Sequence, residues 1–228
     1  MSRSIQIRIL LIRHGETAGN LEGRYVGRTD EELCSYGRQE LEQLRNGEQS
    51  GGHQMPGPVS AVFASPMKRC IQSAQILFPG MPIRTIPGMQ ECDFGEFEYH
   101  NYKELTEDPS YQDWIDSGGT TGFPGGEEPA EFRIRVCAAF ETMVEEILHS
   151  QKCIAGGREH GEDSDPVCAL ICHGGCIMAI MDRYAYPHQD YFSWQLKNGQ
   201  WLEVRLDPAK WSIGEKALSL AGNESNLY

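Results

Sequence analysis

Two apolar runs, Ile9-Leu10-Leu11-Ile12 and Ala169-Leu170-Ile171-Cys172, end in the same way. The first passes through Arg13 to His14-Gly15, and the second goes straight to His173-Gly174. Short apolar runs stopped by a turn signal are the pattern of strands buried on both faces of a parallel sheet. In open α/β sheets, ligands collect beyond the carboxyl ends of such strands. Two histidines therefore fall at the edge of the fold where chemistry is expected. Arg13, next to the first of them, suits that edge to an anion.

Strand signals recur at Ile5–Ile12, Val59–Ala64, Met81–Ile86, Pro166–Cys172 and Gln200–Leu206, with helical signals between them. Such alternation specifies α/β architecture, a three-layer αβα sandwich with a mostly parallel central sheet. Ser35 is placed to cap a helix through Gly37–Arg45, and Pro66 falls where a first-turn proline belongs for Met67–Leu77. From about Glu128 to Ser150, the residues Phe132, Val136, Phe140 and Val144 recur at helical spacing. Gly174–Tyr186 reads as a further helix.

A chain of 228 residues buries one α/β core, while two would be cramped, so residues 1–228 are expected to form a single domain. Residues 88–126 interrupt the alternation, apart from helical pieces near Tyr102–Thr106 and Pro109–Ser117. A connection this long inside a compact domain is usually functional. A cap-like insertion is expected at about 96–126. Residues 155–165 are polar throughout and are expected to form a mobile surface loop, with His160 solvated.

A formal charge of −13 argues against nucleic-acid and anionic-membrane partners, which favour basic faces. No apolar stretch approaches the ~20 residues that span a bilayer. The apolar run after Met1-Ser2-Arg3-Ser4 is too short for a signal peptide, so a cytoplasmic location is expected. The eight cysteines have no framework spacing and read as reduced thiols. Cys168, Cys172 and Cys176 recur every fourth residue, but the run crosses from strand into helix and no second cluster completes a metal site. They read as small buried hydrophobes.

Four further segments carry donors or acids. Arg13-His14-Gly15-Glu16-Thr17 sets a planar guanidinium beside an imidazole, with a glycine allowing a sharp turn. Asn20-Leu21-Glu22-Gly23-Arg24-Tyr25-Val26-Gly27-Arg28-Thr29-Asp30 is a loop rich in amides and backbone donors. Ser65-Pro66-Met67-Lys68-Arg69 opens a helix whose N-terminus favours anions, with Arg69 one turn in. Met89-Gln90-Glu91-Cys92-Asp93-Phe94-Gly95-Glu96-Phe97-Glu98 offers Glu91, Asp93 or Glu96 as a general acid, because partial burial raises a carboxyl pKa.

In this order, Arg-His-Gly-Glu-Thr, Ser-Pro-x-x-Arg, Glu-x-Asp-Phe-Gly-x-Phe-Glu, Pro-Gly-Gly-Glu and His-Gly-Gly resemble the histidine phosphatase superfamily over roughly residues 5–206. That family includes cofactor-dependent phosphoglycerate mutases and many phosphatases. The resemblance implies the phosphoglycerate mutase-like fold and gives each motif a role. His14 would be the nucleophile that carries the phosphoryl group. Arg13, Arg69 and His173 would hold the phosphoryl oxygens, with Asn20 assisting. Glu91, the first acid of its motif, would be the proton donor, and backbone groups near Gly27 and Gly174 would touch the substrate. No metal or cofactor is implied, and the partner is a small phosphorylated substrate. Cys172 and Glu128 stand where the family often has serine, and neither position supplies a catalytic group.

The residue chemistry fits these roles independently. An imidazole of ordinary pKa, about 6.5, is largely neutral near neutrality. Arginines give fixed bidentate donors to three oxygens. Mutases of this family resemble the chain in its core but carry paired arginines in the segment after the acid. Here residues 99–123 contain no arginine, only Lys103 with Glu104, Glu107, Asp108, Asp113 and Asp116. An acidic cap would repel a phosphoglycerate carboxylate, so hydrolysis through a phosphohistidine is expected, with the mutase and phosphoprotein-phosphatase activities as alternatives. The aromatic cap segment, with Tyr111 and Trp114, resembles the branch containing α-ribazole phosphatase. Tyr99, Tyr102, Tyr111 and Trp114 are expected either to form local core or to line the substrate rim.

Overall fold

The computed structural model describes residues 5–48, 55, 57–150 and 165–221. Six strands form one sheet: β1 (Ile7–Arg13), β2 (Ala61–Ala64), β3 (Ile83–Thr85), β4 (Val167–Cys172), β5 (Trp201–Leu206) and β6 (Ser219–Leu220). Their order is β3-β2-β4-β1-β5-β6. The first four run parallel, while β5 and β6 add an antiparallel edge. The direction of β5 has a local cause. Its approach begins at the carboxyl end of β1, where Gly199 N–H donates to the carbonyls of Arg13 and His14. A strand starting there can only run back along β1.

The helices are α1 (Ala18–Leu21), α2 (Ser35–Asn46), α3 (Lys68–Leu77), α4 (Pro109–Asp116), α5 (Pro129–His149), α6 (Gly174–Tyr184) and α7 (Pro208–Ser212). Strand periodicity divides the core between the two sheet faces. Ile7, Ile9 and Leu11 of β1, with Cys168, Leu170 and Cys172 of β4, pack with Phe132, Val136 and Phe140 of α5 and Ile177 and Ile180 of α6. Leu10 and Ile12, with Val167, Ala169 and Ile171, pack with Leu41 and Leu44 of α2 and Cys70, Ala74 and Leu77 of α3. The result is the three-layer sandwich. All six residues of β4 are buried, which is why that strand reads as an unbroken apolar run.

Several local expectations need correction. Cys34, not Ser35, caps α2, its sulfur accepting from Gly37 N–H. Pro66 precedes the cap residue Met67 and so lies outside α3, whose first N–H, on Lys68, donates to Asp30. Residues 102–106 form turns rather than helix. The short elements α1, α7 and β6 carry too little periodicity to read in sequence. Residues 155–164, His160 among them, lie outside the described residues. The seven described cysteines are free thiols, and Cys168, Cys172 and Cys176 are all buried. Among the described residues, no helix is long and apolar enough to cross a membrane.

The segment after β3 builds a small core of its own. Phe97, Leu105 and Tyr111 are buried there, with Tyr25, Phe94, Trp114 and Phe123 packed against them. This cluster rises from the carboxyl edge of the sheet, and one side of it faces the histidines.

Candidate active site

Sheet register brings the two histidines together. Arg13 and Cys172 are paired across β1 and β4, so the next residues, His14 and His173, leave the sheet side by side. Their rings meet edge to face with centroids 5.2 Å apart, and both are buried.

His14 is held in one tautomer. Its Nδ1 lies 2.7 Å from the carbonyl of Gly15. A carbonyl can only accept, so Nδ1 carries the proton and the lone pair is on Nε2. Burial holds the imidazole well below its ordinary range, and the charges of Arg69 and Arg13 push in the same direction. The ring is therefore neutral at physiological pH. The turn that presents it is tied to α3, because Gly15 N–H donates to Ser73 Oγ at 3.0 Å.

Arg69 is fully buried, and a guanidinium without water must be paired. Its Nη1 donates to the carbonyl of Thr29 at 2.7 Å, and its Nη2 to those of Val26 and Gly27 at 3.3 and 2.9 Å. The loop after α1 thus wraps this one cation. Its Nε donates to His173 Nδ1 at 3.3 Å, which puts the His173 proton on Nε2, 2.9 Å from Ser65 Oγ. Both ring nitrogens of His173 are engaged by protein. Burial holds this imidazole well below its ordinary range as well. Four of the five N–H groups of Arg69 are used, leaving one on Nη1.

Arg13 is the more open donor. It gives Nη1 to the carbonyl of Leu196 at 2.6 Å, while its Nε is buried and unpartnered among the described residues. Burial lowers its pKa, yet a guanidinium stays charged in proteins. Asn20 closes α1 through a capping box with Thr17. Its Oδ1 also accepts from Asn198 Nδ2 at 3.1 Å, so its own amide N–H groups are left for the cavity. Asn198 donates to the His14 carbonyl at 3.1 Å too. Sequence reasoning missed Asn198; the only signal was its place in an Asn-Gly turn before β5.

Glu91 separates from its rivals. Its Oε2 accepts from Gly175 N–H and its Oε1 from Cys92 N–H, both at 3.1 Å. Burial raises its pKa against the pull of these N–H groups and of Arg69 and Arg13. A raised carboxyl close to the nucleophile has the properties of a general acid. Asp93 instead accepts from Gly95 N–H and pairs with exposed Arg28, and Glu96 faces solvent. The second glycine of His-Gly-Gly is the one Glu91 requires, since a Cβ on Gly175 would lie 2.4 Å from Glu91 Oε1. Gly174 opens α6, where backbone N–H groups have no partner within the helix.

Gly27 does not reach the cavity as a donor. Its N–H goes to Glu98 Oε1 at 2.9 Å and its carbonyl to Arg69. A Cβ there would fall 1.9 Å from the carbonyl of Cys92, so this glycine allows the loop and the acid-bearing segment to touch.

These groups floor a cavity of about 410 Å³ lined by Arg13, His14, Asn20, Glu91, Gly174 and Asn198. Its upper wall is aromatic, with Tyr25, Phe94, Trp114 and Phe123 on one side and Tyr191 and Phe192 on the other. The acids of the cap do not line it. Glu104 pairs with Arg24, Asp108 caps α4, and Glu107, Asp113 and Asp116 are exposed. The expected electrostatic repulsion by the cap is replaced by an apolar wall. The aromatics divide accordingly: Tyr111 is core, Trp114 is wall, and Tyr99 and Tyr102 are exposed.

At this edge the fold gathers a neutral histidine, a guanidinium and a carboxyl of raised pKa around one cavity. The sequence model of the histidine phosphatase superfamily (branch 1) matches residues 9–217, and the chain belongs to that family. An acid phosphatase of Mycobacterium tuberculosis is 31% identical over 178 residues, 78% of this chain and 75% of its own length. A probable phosphoglycerate mutase of Enterobacter sp. is 27% identical over 97% of this chain and 95% of its own. Among solved structures, the α-ribazole phosphatase from Shigella flexneri superposes with a TM-score of 0.71 at 21% identity, covering 94% of each chain. At that identity the likeness speaks to the fold.

Proposed function

We propose that this protein hydrolyses small phosphate monoesters through a phosphohistidine at His14. The observation that carries this reading is the hydrogen bond from His14 Nδ1 to the Gly15 carbonyl, which leaves the ring lone pair on Nε2 in a cavity that Arg13 and Glu91 also line. Nε2 attacks phosphorus and a P–N bond forms as the ester P–O bond breaks. Glu91 gives its proton to the departing oxygen. Water then attacks the phosphohistidine, Glu91 takes a proton from it, and inorganic phosphate leaves as His14 is restored. Arg13, the amide of Asn20 and the N–H of Gly174 supply donors to the phosphoryl oxygens, and Arg69 adds its remaining N–H and its charge. His173 orients Arg69 from behind. No step requires a metal ion, because these donors balance the phosphoryl charge.

The mutase alternative has support in the names of several relatives and in one neighbouring structure, a phosphoserine phosphatase from Entamoeba histolytica with 3-phosphoglyceric acid bound. Isomerisation needs a second anion clamp. Of the two arginines at the rim, Arg24 is held by Glu22, Glu104 and the carbonyl of Tyr99, while Arg133, over Tyr191 and 3.7 Å from Asp182, is a single cation and not a paired clamp. A direct comparison decides the matter. With 3-phosphoglycerate and 2,3-bisphosphoglycerate present, phosphate release is expected to exceed formation of 2-phosphoglycerate greatly. Isomerisation outpacing release would overturn the hydrolytic reading. α-Ribazole 5′-phosphate, sugar phosphates and phosphoproteins complete the screen.

A further inference from the structure

The cavity has two unlike halves, and only the lower one is accounted for by phosphoryl chemistry. Above it, the rings of Tyr25 and Phe94, Phe94 and Phe123, and Phe123 and Trp114 follow one another at 5.3, 5.0 and 5.3 Å between centroids. Tilted at 59°, 90° and 34° to one another, they form a wall of ring edges and faces. Tyr191 and Phe192, also on the lining, contact each other with centroids 5.1 Å apart, and the guanidinium carbon of Arg133 lies 4.1 Å from the centroid of Tyr191. The two walls converge at Gly119. A Cβ on this glycine would lie 3.5 Å from Trp114 and 3.9 Å from Phe192. The cavity is therefore an aromatic-walled slot with His14 among its lining residues.

Phe192 is 62% exposed, so it is held out at the cavity mouth instead of packed into core. An exposed aromatic next to a pocket is a feature that folding alone does not require. Of the rim arginines, Arg24 is tied to Glu22 and Glu104, and Arg133 sets one face against Tyr191. A wall of ring edges and faces favours another aromatic ring, since aromatic pairs gain from edge-to-face and offset contacts beyond the area they bury.

We infer that the substrate's leaving group carries an aromatic ring, which enters this slot while the phosphoryl group rests on His14. This rests on the proposed phosphatase activity and names its substrate class: arylalkyl and related aromatic phosphates, in preference to phosphorylated polyols and hydroxy acids. Burying one phenyl face at ordinary apolar transfer values corresponds to roughly a 100-fold preference.

Two measurements test it. Steady-state kcat/KM for benzyl phosphate is expected to exceed that for glycerol phosphate by about 100-fold, given alcohols of comparable leaving ability. Calorimetric binding of benzylphosphonate, which the enzyme cannot cleave, should exceed that of 2-carboxyethylphosphonate by a similar factor. Phe192→Ala, at an exposed position with little folding cost, should reduce both ratios by about fivefold or more, and Trp114→Ala should reduce them further. Equal binding of the two phosphonates, or ratios unmoved by either variant, would overturn the inference. Selective phosphonate binding without any ester hydrolysis would uphold the aromatic slot and overturn the phosphatase reading instead.

Discussion

Replacing His14 with alanine is expected to lower kcat/KM for p-nitrophenyl phosphate by about 10⁴-fold or more, in the range seen when a covalent nucleophile is removed. The size of the effect follows from the arrangement. Arg13, Arg69 and Asn20 can bind a phosphoryl group without His14, but they offer it no electron pair. Substrate binding should persist, so KM should change far less than kcat. His14 is buried at the sheet edge, and an alanine there leaves a cavity beside His173 without orphaning a charge. Folding, checked by circular dichroism and thermal melting, should survive. Activity within tenfold of the wild type would remove His14 from the covalent role.

Glu91→Gln is expected to divide substrates by leaving group. Esters of aliphatic alcohols need a proton on the departing oxygen, and losing the general acid costs about 10²–10⁴-fold in kcat/KM. p-Nitrophenolate leaves without one and should be affected far less. The pH profile gives a second signature. His14 acts neutral, and burial moves its titration well below the ordinary imidazole value, so the acid limb lies far on the acid side. Glu91 acts protonated, and burial moves its titration above the ordinary carboxyl value, so activity is lost as pH rises through that raised value. For an aliphatic ester, activity should fall on the alkaline side of that raised value, and Glu91→Gln should abolish the decline at a much lower rate. An equal loss on both ester types would mean that Glu91 holds geometry rather than a proton.

Much of this site was legible because its chemistry sits where strands end. His14 and His173 follow apolar runs too hydrophobic for anything but buried strands, and parallel pairing of β1 with β4 then forces them together. Long helices were legible for a similar reason: Phe132, Val136 and Phe140 all face one core. What escaped depends on contacts between segments distant in sequence. The choice among Glu91, Asp93 and Glu96 is made by Gly175 N–H on α6, 84 residues further along. Asn198 meets Asn20 across 178 residues, and nothing local marks either as a partner. Gly27 was read as a substrate contact, yet its groups go to Glu98 and Arg69. Composition counts the acids of the cap, whereas their effect depends on direction: Glu104 pairs with Arg24, Asp108 caps α4 and the others are exposed, while Trp114 lines the cavity.

Trapping the covalent enzyme tests the central claim most directly. Wild-type protein mixed with phosphate-labelled substrate and quenched in base within a few turnovers should retain label that is stable in alkali and lost in acid. Peptide mapping should place that label on Nε2 of His14, and Glu91→Gln, slowed in the release step, should accumulate more of it. Label on another residue, or rapid hydrolysis with no trapped label in either protein, would contradict a phosphohistidine at His14.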